Sequence, residues 1–160
     1  MNKDLIIKTL EYCANTGYLY YTRDMKKGGH KLGDRAGYLE NTGYIRVRVG
    51  GKNYQAHRLA WFLFYKSEPT GVIDHIDGDK TNNKISNLRD STRSQNLQNQ
   101  KKSQKGSNSG VLGVTKENNK WLARIDLNGV QYRLGVFDTK EAAGEAYLKA
   151  KRELHDFCTI

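Results

Sequence analysis

Proline occurs once in 160 residues, and cysteine, methionine and tryptophan twice each. The single proline falls in Glu68-Pro69-Thr70-Gly71, which reads as a turn. Cys13 and Cys158 belong to no C-x-x-C pair, which excludes a four-cysteine structural zinc, and nothing in the sequence supports a disulfide between them. No apolar run is long enough to span a membrane, and no segment reads as a signal peptide. A reduced, cytoplasmic chain with no membrane partner is therefore expected. Hydrophobic residues make up 37% and mean hydropathy is −0.79, so one large core is not expected; the length suits one domain or two small ones. Acidic residues are scarce too. Against 27 Lys and Arg stand 17 Asp and Glu, a net charge of +10, which favours a polyanionic partner. Most of the excess lies in residues 1–109, with 19 basic and 10 acidic residues.

What the chain does have is concentrated between Val72 and Asn99, VIDHIDGDKTNNKISNLRDSTRSQNLQN. Val72-Ile73 delivers Asp74 and His75 side by side. A turn-rich polar segment follows, Asn87-Leu88-Arg89 begins a return strand, and Thr92 opens a helix-compatible run carrying Arg93, Asn96 and Asn99. Strand, loop, strand and helix can bring Asp74, His75 and Asn96 together. A carboxylate and an amide oxygen are hard ligands suited to Mg²⁺ or Mn²⁺. A neutral imidazole beside them can take a proton from water. These are the parts of metal-assisted phosphodiester hydrolysis.

The pattern D-H-x-D-G-x-x-x-N-N-x-x-x-N-L-R, then a helix with x-x-N, and the upstream A-H-R-L-A-W, resembles the HNH endonucleases of the phage and intron-homing type. The resemblance runs from about Tyr54 to Asn99. It implies a ββα-metal fold, Asp74 and Asn96 as ligands of one Mg²⁺ or Mn²⁺, and His75 as general base. It further implies that Asn87 braces the loop so as to orient His75. The expected products are a 5′ phosphate and a 3′ hydroxyl. Asp77, Asp79, Asn82 and Asn83 fall in the turn, and turn chemistry explains them. Arg89 and Arg93 are candidates for phosphate, or for pairing with Asp90. Asn99 is the alternative ligand if the helix register differs by a turn.

Upstream, Asp4 to Cys13 reads as a short amphipathic helix and Tyr18 to Tyr21 as a strand. His30 falls in a Gly- and Lys-rich loop and reads as solvated. Ile45-Arg46-Val47-Arg48-Val49 alternates strictly, with Ile45 and the valines toward a core and Arg46 and Arg48 outward, where they could touch phosphate. Gly50-Gly51 marks a hairpin turn. His57 to Lys66 is an aromatic-rich helix expected to back the active-site hairpin; His57 and Arg58 open it, where they could approach DNA phosphate, the favoured reading for His57 being a hydrogen bond to that hairpin.

Lys101 to Gly110 holds no apolar residue and reads as an extended basic linker in which Lys101, Lys102 and Lys105 can track DNA. Val111 to Phe157 reads as three strands and a helix. Its pattern G-V-T…K-W-L-A-R-I…Y-R-L-G-V-F-D-T-K-E-A-A-G-E-A-Y…L-H resembles an AP2/ERF DNA-binding domain. Asp138-x-x-Glu141 reads as a capping box for a helix over 139–155. Ala142, Ala143, Ala146, Tyr147 and Ala150 form its packing stripe. Alternation places Trp121, Ala123, Ile125, Tyr132, Leu134 and Val136 inward. Thr115, Lys120, Arg124, Gln131 and Arg133 are left for DNA, through a sheet lying in the major groove.

The expected class is thus α+β. An HNH nuclease domain spans 1–101, with N-terminal β-hairpins and a helix and a ββα-metal core at 72–101. A linker spans 102–110, and a small three-stranded antiparallel sheet with one helix spans 111–160. The expected function is a divalent-metal-dependent endonuclease acting on double-stranded DNA, with no structural zinc. A monomer with one site would nick; a double-strand break would need dimerisation. If phage-encoded, it would act in the host cytoplasm. The alternative is a sequence-specific DNA-binding regulator with a disused nuclease module.

Overall fold

The computed structural model describes residues 1–25, 28–103 and 106–159. The chain forms two compact units, Met1–Ser91 and Thr92–Ile160.

In the first unit, the Asn2 side chain accepts from the Leu5 N–H at 3.2 Å and starts α1 (Lys3–Thr9). The helix stops four residues before the expected end. Leu10–Cys13 is instead a strand, β1, antiparallel to β2 (Tyr18–Tyr21). A helix this short gains little from its own hydrogen bonds. Pairing with β2 satisfies the same backbone and buries Leu10, Leu19 and Tyr21 in one core. The two-residue β3 (Arg35–Ala36) completes the sheet, in the order β1-β2-β3.

A second antiparallel sheet contains β4 (Tyr38–Leu39), β5 (Ile45–Val49) and β6 (Lys52–Gln55). Alternation along β5 buries Val47 and Val49 and exposes Arg48. The helix α2 (Ala56–Tyr65) buries Leu59, Phe62 and Leu63 in the core shared with both sheets, and ends at Lys66 in the left-handed conformation. Its Ala60 and Trp61 pack with Ile73 and Leu88. In this way α2 backs the hairpin of β7 (Val72–His75) and β8 (Leu88–Ser91), whose register sets Asp74 opposite Arg89.

The second unit begins earlier than the sequence suggested. Thr92 and Gln95 form a capping box that opens α3 (Arg93–Gln98), and this helix belongs to the unit after Ser91, not to a domain ending at 101. Nor is all of the 102–110 segment an extended tether. Ser109 is buried; its hydroxyl donates to the Val114 carbonyl at 2.6 Å and accepts from the Val111 N–H at 3.1 Å.

The antiparallel sheet here has β9 (Val114–Glu117), β10 (Lys120–Leu127) and β11 (Val130–Phe137), with β10 central. The helix α4 (Lys140–Leu154) lays Ala143, Ala146, Tyr147 and Ala150 over Trp121, Ala123 and Ile125. Its cap is Thr139, which accepts from the Ala142 N–H at 3.2 Å. The expected Asp138 cap is instead exposed and pairs with Lys120 at 3.0 Å.

The expected inward set on β11 also changes. The register slips between Ala123, paired with Gly135, and Arg124, paired with Arg133. One extra residue there inverts the alternation beyond it. Phe137, opposite Trp121, packs in the core, whereas Val136 is 38% exposed. Tyr132, opposite buried Ile125, stays 48% exposed toward the sheet's end.

Lys151 is almost fully buried and donates its ammonium to the Gln100 carbonyl. The Thr159 hydroxyl donates to the Asn99 amide oxygen at 2.8 Å. The two contacts tie the residues ending α3 to α4 and to the C-terminal segment. Among the described residues both cysteines are free, and no helix is long and apolar enough to cross a membrane.

Gly113 sits at φ +69, and a Cβ there would lie 1.9 Å from the Tyr147 ring. Gly113→Ala should therefore destabilise the second unit by about 3 kcal/mol, combining overpacking with an unfavourable φ. Urea unfolding followed by Trp121 fluorescence, in a Trp61→Phe background, measures this; an unchanged midpoint would contradict the packing described.

Candidate active site

The β7–β8 hairpin carries two polar residues that are almost wholly buried. Asp74 is 5% and His75 4% exposed. Burial of such groups is tolerated only when their polar atoms are satisfied. Arg89, directly across the hairpin, supplies the carboxylate's partner, with Nε at 2.8 Å and Nη2 at 2.7 Å from Asp74 Oδ2. The Asp90 carboxylate, the other partner considered for an arginine, turns the opposite way. It accepts from the Thr70 N–H and hydroxyl and from the Gly71 N–H, at 2.7–2.9 Å. Burial works against its charge, but these donors and the Arg58 charge outweigh it and keep the carboxyl below its usual range.

His75 Nε2 lies 3.0 Å from Asn83 Oδ1, in a buried contact. An amide oxygen only accepts, so Nε2 carries the proton and the lone pair of the neutral ring sits on Nδ1. Asn83 is 4% exposed, and its own backbone carbonyl accepts from the Tyr12 hydroxyl at 2.9 Å. Gly17, at φ +76, packs so closely that a Cβ would fall 2.5 Å from the Lys84 nitrogen. The first hairpin of the unit thus holds the loop that holds the histidine.

Asn87 secures the other end of that loop. Its amide oxygen accepts from the Asp77 N–H at 3.0 Å, and its amide nitrogen donates to Asp77 Oδ1 at 2.9 Å and to the Asn82 carbonyl at 2.8 Å. Asp77 is partly desolvated, yet the Asn82 amide, the Asp79 N–H and the Asn87 amide lower its pKa. Asn87 therefore braces the loop, while the side chain that touches the imidazole nitrogen is that of Asn83. Reading the turn as turn chemistry alone overlooks Asn83; the asparagine pair that ends eight residues after His75 was the available signal.

A ring cluster closes the other side. His57 meets His75 edge to face, with centroids 5.2 Å apart. Tyr44 covers both, at 5.3 Å from His57 and 6.0 Å from His75. His57 makes ring contacts, and its Nδ1 has no hydrogen-bond partner among the described residues, unlike the hydrogen bond expected from sequence. Burial first, then the neighbouring His75 and Arg58, push its pKa down to about 3. Burial and the Asp74 charge raise that of Tyr44.

The other candidates fall on several elements of the two units. Asn96 is half-buried on α3, in the second unit. Asn99 is buried, its amide oxygen taken by Thr159. Arg46 pairs with Glu40 at 2.9 Å, while Arg48 is exposed beside a cavity. Arg93 and Lys102 are exposed and Lys101 half-buried; Lys105 lies outside the described residues. In the second unit, Arg124 donates to Gln131 at 3.2 Å, Gln131 donates to Asp126 at 3.2 Å, and Arg133 pairs with Glu117 at 2.9 Å. Thr115 lies opposite Leu122, and Lys120 pairs with Asp138.

Among the described residues no three His, Cys, Asp or Glu side chains gather as a metal cage. The Asp74 carboxylate is a hard oxygen donor, of the kind that suits Mg²⁺.

A family model described as "HNH endonuclease" matches residues 54–98. The chain is 34% identical over 119 residues to "Uncharacterized HNH endonuclease L560" of Acanthamoeba polyphaga mimivirus, covering 73% of this chain and 61% of that one. It is 33% identical over 108 residues to "DNA endonuclease I-HmuI" of Bacillus phage SP01, covering 64% and 55%. It is 34% identical over 102 residues to "Protein 3.8" of Escherichia phage T7, covering 62% and 83%. The chain thus spans less than two thirds of the first two relatives and most of the third. No solved structure matches it.

His57 binds fewer protons folded than unfolded between its depressed value and the ordinary histidine value near 6.5, so stability rises with pH across that window. Stability should be full above pH 6.5 and lower by about 1–2 kcal/mol at pH 5. His57→Phe should remove that increment when urea unfolding is compared at pH 7.5 and 5. An equal acid loss in both proteins would contradict the depressed pKa.

Proposed function

Because residues 54–98 match an HNH endonuclease model, we propose that this chain is a divalent-metal-dependent endonuclease hydrolysing phosphodiester bonds in double-stranded DNA. One site per chain supports nicking, with a 5′ phosphate and a 3′ hydroxyl as products. The observation carrying this reading is the buried Asp74–His75 pair, with the imidazole Nε2 held on Asn83.

His75 Nδ1 takes the proton of the attacking water, and the resulting imidazolium keeps its Nε2 proton on Asn83. Asn83 acts as a positioning residue: it selects the tautomer and fixes the ring plane. Asn87 keeps the loop from drifting. Arg89 holds the Asp74 carboxylate in place through Nε and Nη2. Asp74 is the residue of this hairpin that would hold Mg²⁺ or Mn²⁺; Asn96, the second ligand implied by the resemblance, belongs to the other unit. When bound, the ion supplies charge stabilisation for the phosphorane and the leaving 3′ oxygen.

The 111–160 segment is read as an AP2/ERF-like module that docks its open sheet face on DNA. Support comes from the three antiparallel strands under one helix, with Thr115, Arg124, Gln131 and Arg133 on the face away from it. Arg124 and Gln131 bond each other and Arg133 holds Glu117, so binding bases would require exchanging existing partners.

Supercoiled plasmid incubated with the full chain and Mg²⁺ or Mn²⁺ should convert to the nicked form, and EDTA should stop it. His75→Ala should lower the rate roughly 100-fold or more, the usual worth of a general base. Asn83→Ala should lower kcat about 10-fold with little change in DNA affinity. Absence of cleavage by the wild type, or wild-type cleavage by His75→Ala, would overturn the assignment. DNA binding without cleavage would leave the regulator reading.

A further inference from the structure

The first unit has a cavity away from Asp74 and His75. It has a volume of about 720 Å³ and is lined by residues including Tyr21, Arg23, Asp24, His30, Arg48 and Gly51. We propose that it is a binding site for a backbone phosphate of duplex DNA away from the bond that is cut. This deepens the nuclease reading and rests on it.

The sequence builds the cavity from three places. Alternation on β5 buries Val47 and Val49 and so turns Arg48 outward. Gly50 and Gly51, at φ +57 and +80, turn the chain immediately beyond it, and a Cβ on Gly51 would meet open space. Arg23 follows β2, and its Nη2 reaches the Thr9 hydroxyl at 3.4 Å. The loop after it folds back through the Met25 N–H to the His30 carbonyl at 2.8 Å. That fold stacks the His30 ring on buried Tyr21, with centroids 4.8 Å apart and planes 18° from parallel.

Charge and access select the ligand. Two guanidiniums and an imidazole face one carboxylate, Asp24, and one oxygen of that carboxylate accepts from the Leu32 N–H at 2.9 Å. Guanidinium forks match phosphate oxygens. Arg46, on the same strand, pairs with Glu40 at 2.9 Å, whereas Arg48 has no carboxylate partner among the described residues. His30, read from sequence as merely solvated, thus has a fixed place on the cavity wall. Arg23 carried no sequence signal beyond its charge. The two arginines are widely separated in sequence and meet only because β2 and β5 belong to one unit.

The test uses the full-length protein and a fluorescent duplex, in EDTA to prevent cleavage, across 50–300 mM salt. Removing one phosphate-binding side chain should lower the slope of log affinity against log salt by about 0.9. Arg23→Gln with Arg48→Gln should lower it by about 1.8 and weaken binding about 10-fold or more at 150 mM salt. Arg48→Gln alone keeps the Thr9 hydrogen bond, guards against a folding defect, and should lower the slope by about 0.9. A second arm titrates the dinucleotide dTpdT and follows the arginine Nε–H resonances; those of Arg23 and Arg48 should shift in the wild type. A wild type that binds duplex, with unchanged affinity and slope in both variants, overturns this site alone. A wild type that binds no duplex overturns it together with the nuclease reading.

Discussion

The candidate chemistry depends on one hydrogen bond, from the His75 ring to the Asn83 side chain. A buried imidazole with nothing to fix it would be free to exchange tautomers and to rotate, and half of its states would point the proton where the lone pair is needed. An amide oxygen at 3.0 Å from Nε2 removes that freedom. The rest of the first unit serves to keep Asn83 there. Tyr12 holds its backbone carbonyl, Gly17 approaches the neighbouring peptide, and Asn87 locks Asp77 and Asn82 into the same turn.

The electrostatic side of the site follows the same logic. Asp74 is almost inaccessible, and a carboxylate in that position needs a cation. The antiparallel register provides one by setting Arg89 across from it. Beside His75 the wall is neutral: His57 is held uncharged far below neutral pH by its own burial, and Tyr44 keeps its proton. A second cation against the imidazole would hinder it from accepting a proton, so an uncharged histidine there is compatible with a base where a lysine or arginine would not be.

Local signals made much of this legible. Two apolar residues before an Asp-His pair, glycine and asparagine in the following turn, and the helix-compatible run opened by Thr92 lie within one short stretch and produce the hairpin and the start of α3. The strict alternation of β5 and the alanine stripe of α4 were equally direct. What was not legible depended on distant partners. Leu10 to Cys13 has helical periodicity but pairs with Tyr18 to Tyr21, because a shared core outweighs a weak local preference. The slip between Ala123 and Arg124 has no marker except Gly135, and it reverses which side chains of β11 face α4. Lys151 reads as one more surface lysine of a basic helix, yet it is buried against the Gln100 carbonyl. Asn83 looked like a turn residue because it is one; its second role exists only once β7 has placed His75 within reach.

The mechanism stands or falls on the protonation pattern of one imidazole, and nitrogen-15 NMR of the His75 side chain in the full-length protein at pH 7.5 reads it directly. The expected result is a neutral ring protonated at Nε2, with a slowly exchanging Nε2–H proton that disappears or moves in Asn83→Ala. A ring protonated at Nδ1, or one averaging between the two tautomers in the wild type, would contradict it.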